Sequence, residues 1–393
     1  MIKKNIFFCV FVFGIFSAQK NTFPIIAFQG IPSSHSNDRN YQVLKNAGFT
    51  VNLNMFDSLE EVEKALNIGH KNNVKIIALI PNIKNTPGII AEKIKNNPAL
   101  LAYYIEDEPP TSRFLELSEI VKNIKSIDDK KLIYINLMPT YAGNVAYAAV
   151  SYDAYVKQFL NLVKPNVLSF DHYPIVNNTV REDFYENLEI IRSNAYEYNI
   201  PFWAFACTAI HFAYREPTLQ SLKLQQFSNL LYGAQGLQYY TYWTVNDQYW
   251  KDNHYSYAIV DDIGNPTPTY NFVKTINQQI QRLAWVFYGA KADAVYHTGN
   301  EIPEATKELV SIPKGFKHFS TNGNNALISF MTNKENKFII IQNKSMIDNL
   351  TLNYQLAKKM KIIDNSTGKV KNTEISKKNK AVILPGDILI FTY

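Results

Sequence analysis

From Phe23 to about Arg282, short apolar runs alternate with amphipathic segments, the order expected of parallel strands joined by helices. Eight runs read as strands: Pro24 to Phe28, Thr50 to Asn54, Lys75 to Ile80, Leu100 to Ile105, Lys131 to Asn136, Val167 to Phe170, Phe202 to Ala206 and Gly236 to Tyr242. Between them, Leu59-Val62-Ala65-Leu66-Ile68, Phe114-Leu117-Ile120-Val121-Ile124 and Leu222-Leu224-Phe227-Leu230-Leu231 recur at helical spacing. Eight such units predict a closed (β/α)8 TIM barrel, for which about 260 residues is the usual size. After Trp285 the period changes to two. Ala326 to Phe330, Phe338 to Ile341, Ala381 to Leu384 and Ile388 to Phe391 are separated by turns such as Asn322-Gly323-Asn324 and Pro385-Gly386-Asp387. This pattern predicts a small C-terminal antiparallel β-sandwich packed on the barrel. The resulting division is a barrel over residues 19–288 and a sandwich over residues 289–393.

Polar residues stand where each predicted barrel strand ends. They are Gln29; Asn52 and Asn54; Asn82; Glu106, Asp107 and Glu108; Asn136; Asp171, His172 and Tyr173; Cys207, Thr208 and His211; then Trp243, Asn246 and Asp247. In a barrel the eight tips meet on one face, so residues distant in sequence become one site.

The N-terminus reads as a signal peptide over residues 1–18: Lys3 and Lys4, an apolar stretch from Ile6 to Phe16, then Ser17-Ala18. The stretch is too short for a membrane span, and the mature chain is expected to be secreted or periplasmic, without an integral membrane segment. Cys9 lies inside the leader, so Cys207 remains alone and no internal disulfide can form. Stability must then come from a large core, which 46% hydrophobic residues can build. The net charge of +6 falls to about +4 without Lys3 and Lys4. The lysine clusters at Lys358-Lys359-Met360-Lys361 and Lys377-Lys378-Asn379-Lys380 lack interleaved aromatics and read as solvated turns, not a nucleic-acid surface. No zinc-type Cys/His spacing or phosphate-binding glycine loop is present, so no cofactor or metal is implied. Aromatic content is high, with 25 Tyr and 24 Phe. Rings such as Trp203, Tyr242 and Trp243 could stack on sugars.

The densest chemistry is Leu100-Leu101-Ala102-Tyr103-Tyr104-Ile105-Glu106-Asp107-Glu108-Pro109-Pro110. An apolar strand ends in three consecutive acids, and two prolines stop either strand or helix from continuing. Strand alternation predicts Glu106 and Glu108 on one side and Asp107 on the other. Adjacent carboxylates repel, so in a partly dry site one holds its proton near neutral pH. A protonated acid beside an ionised one is what glycosidic bond cleavage needs.

On these residues the chain resembles secreted (β/α)8 glycoside hydrolases of the clan whose acid/base glutamate follows the fourth strand, often as Asn-Glu-Pro. Here that motif stands as Asp107-Glu108-Pro109. Ser169-Phe170-Asp171-His172-Tyr173-Pro174 and Tyr232-Gly233-Ala234-Gln235-Gly236-Leu237-Gln238-Tyr239-Tyr240 extend the likeness, which is greatest to Bacteroidetes-type glycosidases. The resemblance implies a carbohydrate substrate and Glu108 as general acid. The clan's nucleophilic glutamate ends the seventh strand, whereas Trp203-Ala204-Phe205-Ala206-Cys207-Thr208 contains no carboxylate.

The second acid is therefore open. Asp171 at the sixth tip is the leading second carboxylate, as nucleophile or base; Glu216 could instead swing in from its loop, or Asp107 could orient a substrate acetamido group that itself acts as nucleophile. Glu106, Asn136, His172, Tyr173, Trp203, His211, Tyr242, Trp243 and Asp247 are the expected substrate-binding residues. Cys207, in a context with nothing to lower its pKa, reads as packing. A barrel that binds carbohydrate without cleaving it is the alternative that the missing acid leaves open.

Overall fold

The computed structural model describes residues 22–256, 258–375 and 377–393; the leader expected over residues 1–18 lies outside them. Eight parallel strands close into a barrel: Ile25–Ala27, Val51–Met55, Lys75–Leu79, Leu100–Asp107, Leu132–Leu137, Leu168–Phe170, Phe202–Cys207 and Gly236–Tyr240. All eight lie where the apolar runs predict them. The fourth runs two residues further, to Asp107, and the eighth ends at Tyr240, where a cis peptide joins Tyr240 to Thr241.

Inward side chains such as Ile26, Leu53, Ile77, Tyr104, Tyr134, Trp203 and Phe205 fill the barrel, while Ile25, Ala78, Tyr103, Ile133 and Leu237 meet the helices outside. The predicted helices form over Leu59–Lys71, Phe114–Ile127 and Leu219–Leu231. Ser58 caps the first by accepting from the Glu61 N–H, and Thr218 and Ser221 form a reciprocal cap on the third.

Helix Leu219–Leu231 is buried nearly all round, its polar residues included, because a second layer packs on it. That layer is the sandwich, a six-stranded antiparallel sheet facing a three-stranded one over a core containing Phe316, Ile328, Ile341, Leu352 and Phe391. Gln342 of the sandwich accepts from Ser228 Oγ (2.9 Å) and donates to the Leu224 carbonyl (3.0 Å). On its other side the helix fixes the barrel tips: Gln225 accepts the Cys207 N–H (2.9 Å), and Asn229 donates to the Phe205 carbonyl (2.9 Å). Each buried amide is thus spent on backbone groups that would otherwise be unpaired. No helix among the described residues is long and apolar enough to cross a membrane.

Candidate active site

The fourth strand sets the site through a β-bulge. Tyr104 pairs with Tyr134, but Glu106 pairs with Ile135 and Asp107 with Asn136, so one residue is extra and the alternation shifts. Asp107, not Glu106, consequently shares the inner side with Tyr104. Glu106 instead meets Lys84 (2.7 Å) and Arg113 (3.1 Å), whose charges hold its carboxyl low against the opposing effect of burial. This corrects the expected facing, and it removes Glu106 from the substrate-binding set.

Glu108 follows with φ of 46°, in the left-handed region that side chains avoid. Its N–H donates to the Asn136 carbonyl at 2.8 Å, and Tyr155 donates its hydroxyl to the Pro109 carbonyl at 2.8 Å. The strained turn is thereby fixed between the fifth strand and the helix Tyr152–Val163.

Three carboxyl groups converge here. Asp107 and Glu108 are open to solvent although protein surrounds them, whereas Asp171 is only 8% exposed. Asp171 is hydrogen-bonded to Glu108 and accepts from Asn136 Nδ2 at 2.9 Å. A hydrogen bond between two carboxyls needs a proton on one of them. Burial pushes Asp171 well above the usual carboxylate range, and the charges of Glu108 and Asp107 push it further. Burial likewise raises Glu108, an effect partly offset by the Asp171 hydrogen bond. Asp107 is pushed up to about 6 by burial and then by Glu108, with Asn136 and Tyr104 favouring its ionised form.

A polar column supports this cluster from inside the barrel. Ser169 Oγ donates to Asn136 Oδ1 (2.8 Å), Gln238 Nε2 donates to Ser169 Oγ (2.9 Å), and Tyr134 donates to Gln238 Oε1 (2.7 Å). Asn136 is thereby held with its amide toward the carboxyls. Around the site stand aromatic groups. Tyr173 lies 5.3 Å from Tyr240 and 5.8 Å from Tyr214, and His211 stacks on Tyr255 at 4.5 Å. The His211 Nδ1 meets the Ala209 carbonyl at 2.9 Å, and burial lowers its pKa. Cys207, at the tip that lacks a carboxylate, has its thiol pushed up to about 12 by burial. It remains protonated and is a poor nucleophile.

Glu108, Asp107, Asp171, Asn136, Tyr173 and His211 are thus gathered on the face where strand ends meet. Five other expected binding residues lie elsewhere or serve the scaffold. Trp203 is the second residue of the seventh strand, packs in the barrel 6.1 Å from Tyr134, and is 4% exposed. Gly236 makes room for it: a Cβ there would lie 2.5 Å from the indole. Tyr242 is buried outside the barrel, 5.3 Å from Phe49. Trp243 is covered by His35, ring centres 5.0 Å apart, and by the turn at Gly264. Asp247 caps the short helix Gln248–Asp252 and is exposed. His172 is buried, its Nε2 3.3 Å from Asp183, and burial lowers its pKa. Glu216 is exposed in its loop.

Trp243→Ala should therefore act on stability. Removal of a buried indole is expected to cost about 3–5 kcal/mol, read as a lower urea midpoint at unchanged m; a midpoint within error of wild type would show that the ring is not core.

Tyr141, Arg181, Tyr214, Tyr240 and Tyr255 are the site-proximal residues that sequence reasoning missed. A polar Gln238 inside an apolar strand is a legible signal of the inner column, but loop tyrosines carry none.

No family model matches this chain, and no curated protein is similar to it in sequence. Solved structures share its architecture. A family 39 glycoside hydrolase from the gut symbiont Bacteroides cellulosilyticus WH2 superposes with a TM-score of 0.58 at 9% identity, covering 95% of this chain and 81% of that one. An α-L-arabinofuranosidase from Thermotoga maritima gives 0.52 at 8% identity, covering 95% and 97%. At such identities the likeness establishes the fold: a TIM barrel followed by a β-sandwich.

Proposed function

We propose that this protein is an exported glycoside hydrolase in which Glu108 protonates the leaving oxygen. The observation that carries the reading is a solvent-open glutamate hydrogen-bonded to a buried aspartate at the C-terminal mouth of a TIM barrel. Such a pair keeps one proton at neutral pH and can deliver it through the open member.

Asp107 is the second working carboxyl. It is the other open acid, and with a pKa of about 6 it is ionised above that pH. Asp171 serves Glu108 instead. Carboxyls that flank a scissile bond stand about 5–5.5 Å apart in retaining enzymes and about 6.5–9.5 Å in inverting ones, whereas hydrogen-bonded oxygens lie within about 3 Å. A hydrogen-bonded Glu108–Asp171 pair is closer than either spacing. With no acid at the seventh tip, the anomeric carbon needs another nucleophile, and the carbonyl oxygen of a substrate 2-acetamido group, whose N–H donates to ionised Asp107, supplies one. It forms a bond to C1 as the glycosidic bond breaks and Glu108 gives its proton to the leaving oxygen. Water then opens the cyclic intermediate as Glu108 takes the proton back.

The pH dependence follows. kcat/KM should rise as Asp107 ionises near pH 6 and fall when the Glu108–Asp171 pair loses its shared proton. Asp107→Ala should remove the acid limb and lower kcat/KM on 2-acetamido glycosides by at least about 100-fold, and a thiazoline mimic of the cyclic intermediate should inhibit wild type. Equal cleavage of sugars with and without the acetamido group would overturn the role of Asp107. Glycan binding with no sugar released from a broad panel would make the barrel a binding module. Export is tested by the N-terminal sequence of the mature protein, expected to start near Gln19.

A further inference from the structure

The hairpin after the sixth strand, Ile175–Val176 with Thr179–Val180, ends in Arg181, whose N–H donates to the Pro174 carbonyl at 2.7 Å. The half-buried guanidinium lies over the Tyr141 ring, 4.2 Å from its centre. Nε donates to the Tyr173 carbonyl (3.3 Å) and Nη2 to the Tyr214 hydroxyl (3.4 Å). Tyr173, Tyr214 and Tyr141 all belong to the surroundings of the carboxyl cluster: Tyr141 and Tyr173 feel the charge of Asp171, and the Tyr141 hydroxyl is hydrogen-bonded to Tyr214.

Arg181 is thus immobilised next to the site. Among the described residues it forms no ion pair. Its two hydrogen bonds consume the edge formed by Nε and Nη2. The opposite edge, Nη1 with the remaining Nη2 N–H, keeps two parallel donors, the arrangement that fits a carboxylate bidentately. The nearby Asp183 feels the Arg181 charge but accepts from Thr140 Oγ1 and meets His172 Nε2, and makes no ion pair with Arg181.

Resting on the glycoside hydrolase reading, we propose that Arg181 recognises the carboxylate of an acidic sugar, so that the substrate is a glycan containing uronic acid. On the other side of the hairpin Arg181 borders a cleft of about 470 Å³ that also holds Glu182, Glu301 and Glu304 against Lys344. The carboxylate meets Arg181 at its free edge, beside Tyr141.

The test compares acidic oligosaccharides that contain 2-acetamido sugars and uronic acid with the same compounds after reduction of each carboxyl to an alcohol. Binding is measured by calorimetry in the Glu108→Gln background, and hydrolysis with wild-type Glu108. Arg181→Gln is expected to weaken binding of the acidic form at least about 20-fold while changing the reduced form by less than about 2-fold, and Arg181→Lys should recover part of the loss. Melting temperature identifies any variant that merely fails to fold, in which case Arg181→Lys carries the comparison. Equal affinity of wild-type Arg181 protein for acidic and reduced forms overturns the inference, as does tighter binding of a sulfated neutral glycan than of the uronate. If acidic glycans bind through Arg181 but wild type releases no sugar, the hydrolase reading fails and the carboxylate contact stands. If both forms are hydrolysed equally, the hydrolase reading stands and the carboxylate contact falls.

Discussion

Glu108→Gln is expected to lower turnover on a natural glycan by at least about 100-fold, and by up to about 10,000-fold, the range for loss of a general acid. The amide keeps the shape and can still donate a hydrogen bond, but it has no proton to transfer. Aryl glycosides with acidic phenol leaving groups need little protonation, so their cleavage should fall much less. This graded loss is the diagnostic result, because a folding defect lowers both substrates alike. Affinity for intact glycan should persist, since the polar column Asn136, Ser169, Gln238 and Tyr134 reaches Asp171 through Asn136 and does not depend on the Glu108 charge. Unchanged turnover on a natural glycan would end the assignment of Glu108, whatever the behaviour of activated substrates.

The contrast between Asn136 and Trp243 shows how much of this site the chain declares in advance. Asn136 closes a run of apolar residues, and the tip of a barrel strand has one place to go, so type and position together place it in the mouth. Trp243 also follows a strand end, yet its exposure depends on what covers it. His35 comes from the first unit and Gly264 from the loop before the final barrel helix, and no local pattern links them. Trp203 is misplaced for another reason. It lies near the start of its strand, and strand starts lie at the opposite end of the barrel from strand tips, which periodicity of two cannot distinguish. The bulge is the hardest to foresee. Glu106, Asp107 and Glu108 look equivalent in sequence, and their facing is decided by a one-residue slip against the fifth strand that stems from pairing, not from local propensity. Arg181 is invisible in the sequence because its significance is its fixed place against Tyr141, Tyr173 and Tyr214, which only three-dimensional neighbours reveal.

Asp171→Asn is expected to separate activity from stability in opposite directions. The asparagine keeps an oxygen for Asn136 Nδ2 and turns an amide N–H toward Glu108, so the pair no longer shares a proton. Glu108 still accepts a hydrogen bond in its ionised form, as it does from protonated Asp171, but it no longer faces a second negative charge when the last proton leaves, and that lowers its pKa. The alkaline limb of kcat/KM should move toward acid by at least about one unit, leaving activity near pH 5 within about 3-fold of wild type but reducing it at least about 10-fold at pH 8. Stability should change the other way. The folded-state pKa of Asp171 is raised above the unfolded value of about 3.9, so the native state holds the extra proton. Stability from that proton is complete below the unfolded value and is lost as pH rises through the folded one. Removing the group removes this loss, so the melting temperature of Asp171→Asn should exceed wild type by a few degrees at pH 8 and by less at pH 5. If Asp171 were instead the nucleophile, the variant would be inactive across the whole pH range and azide would restore turnover to Asp171→Ala as a glycosyl azide. An unshifted alkaline limb with full activity would show that the Asp171 hydrogen bond does not hold the proton of Glu108.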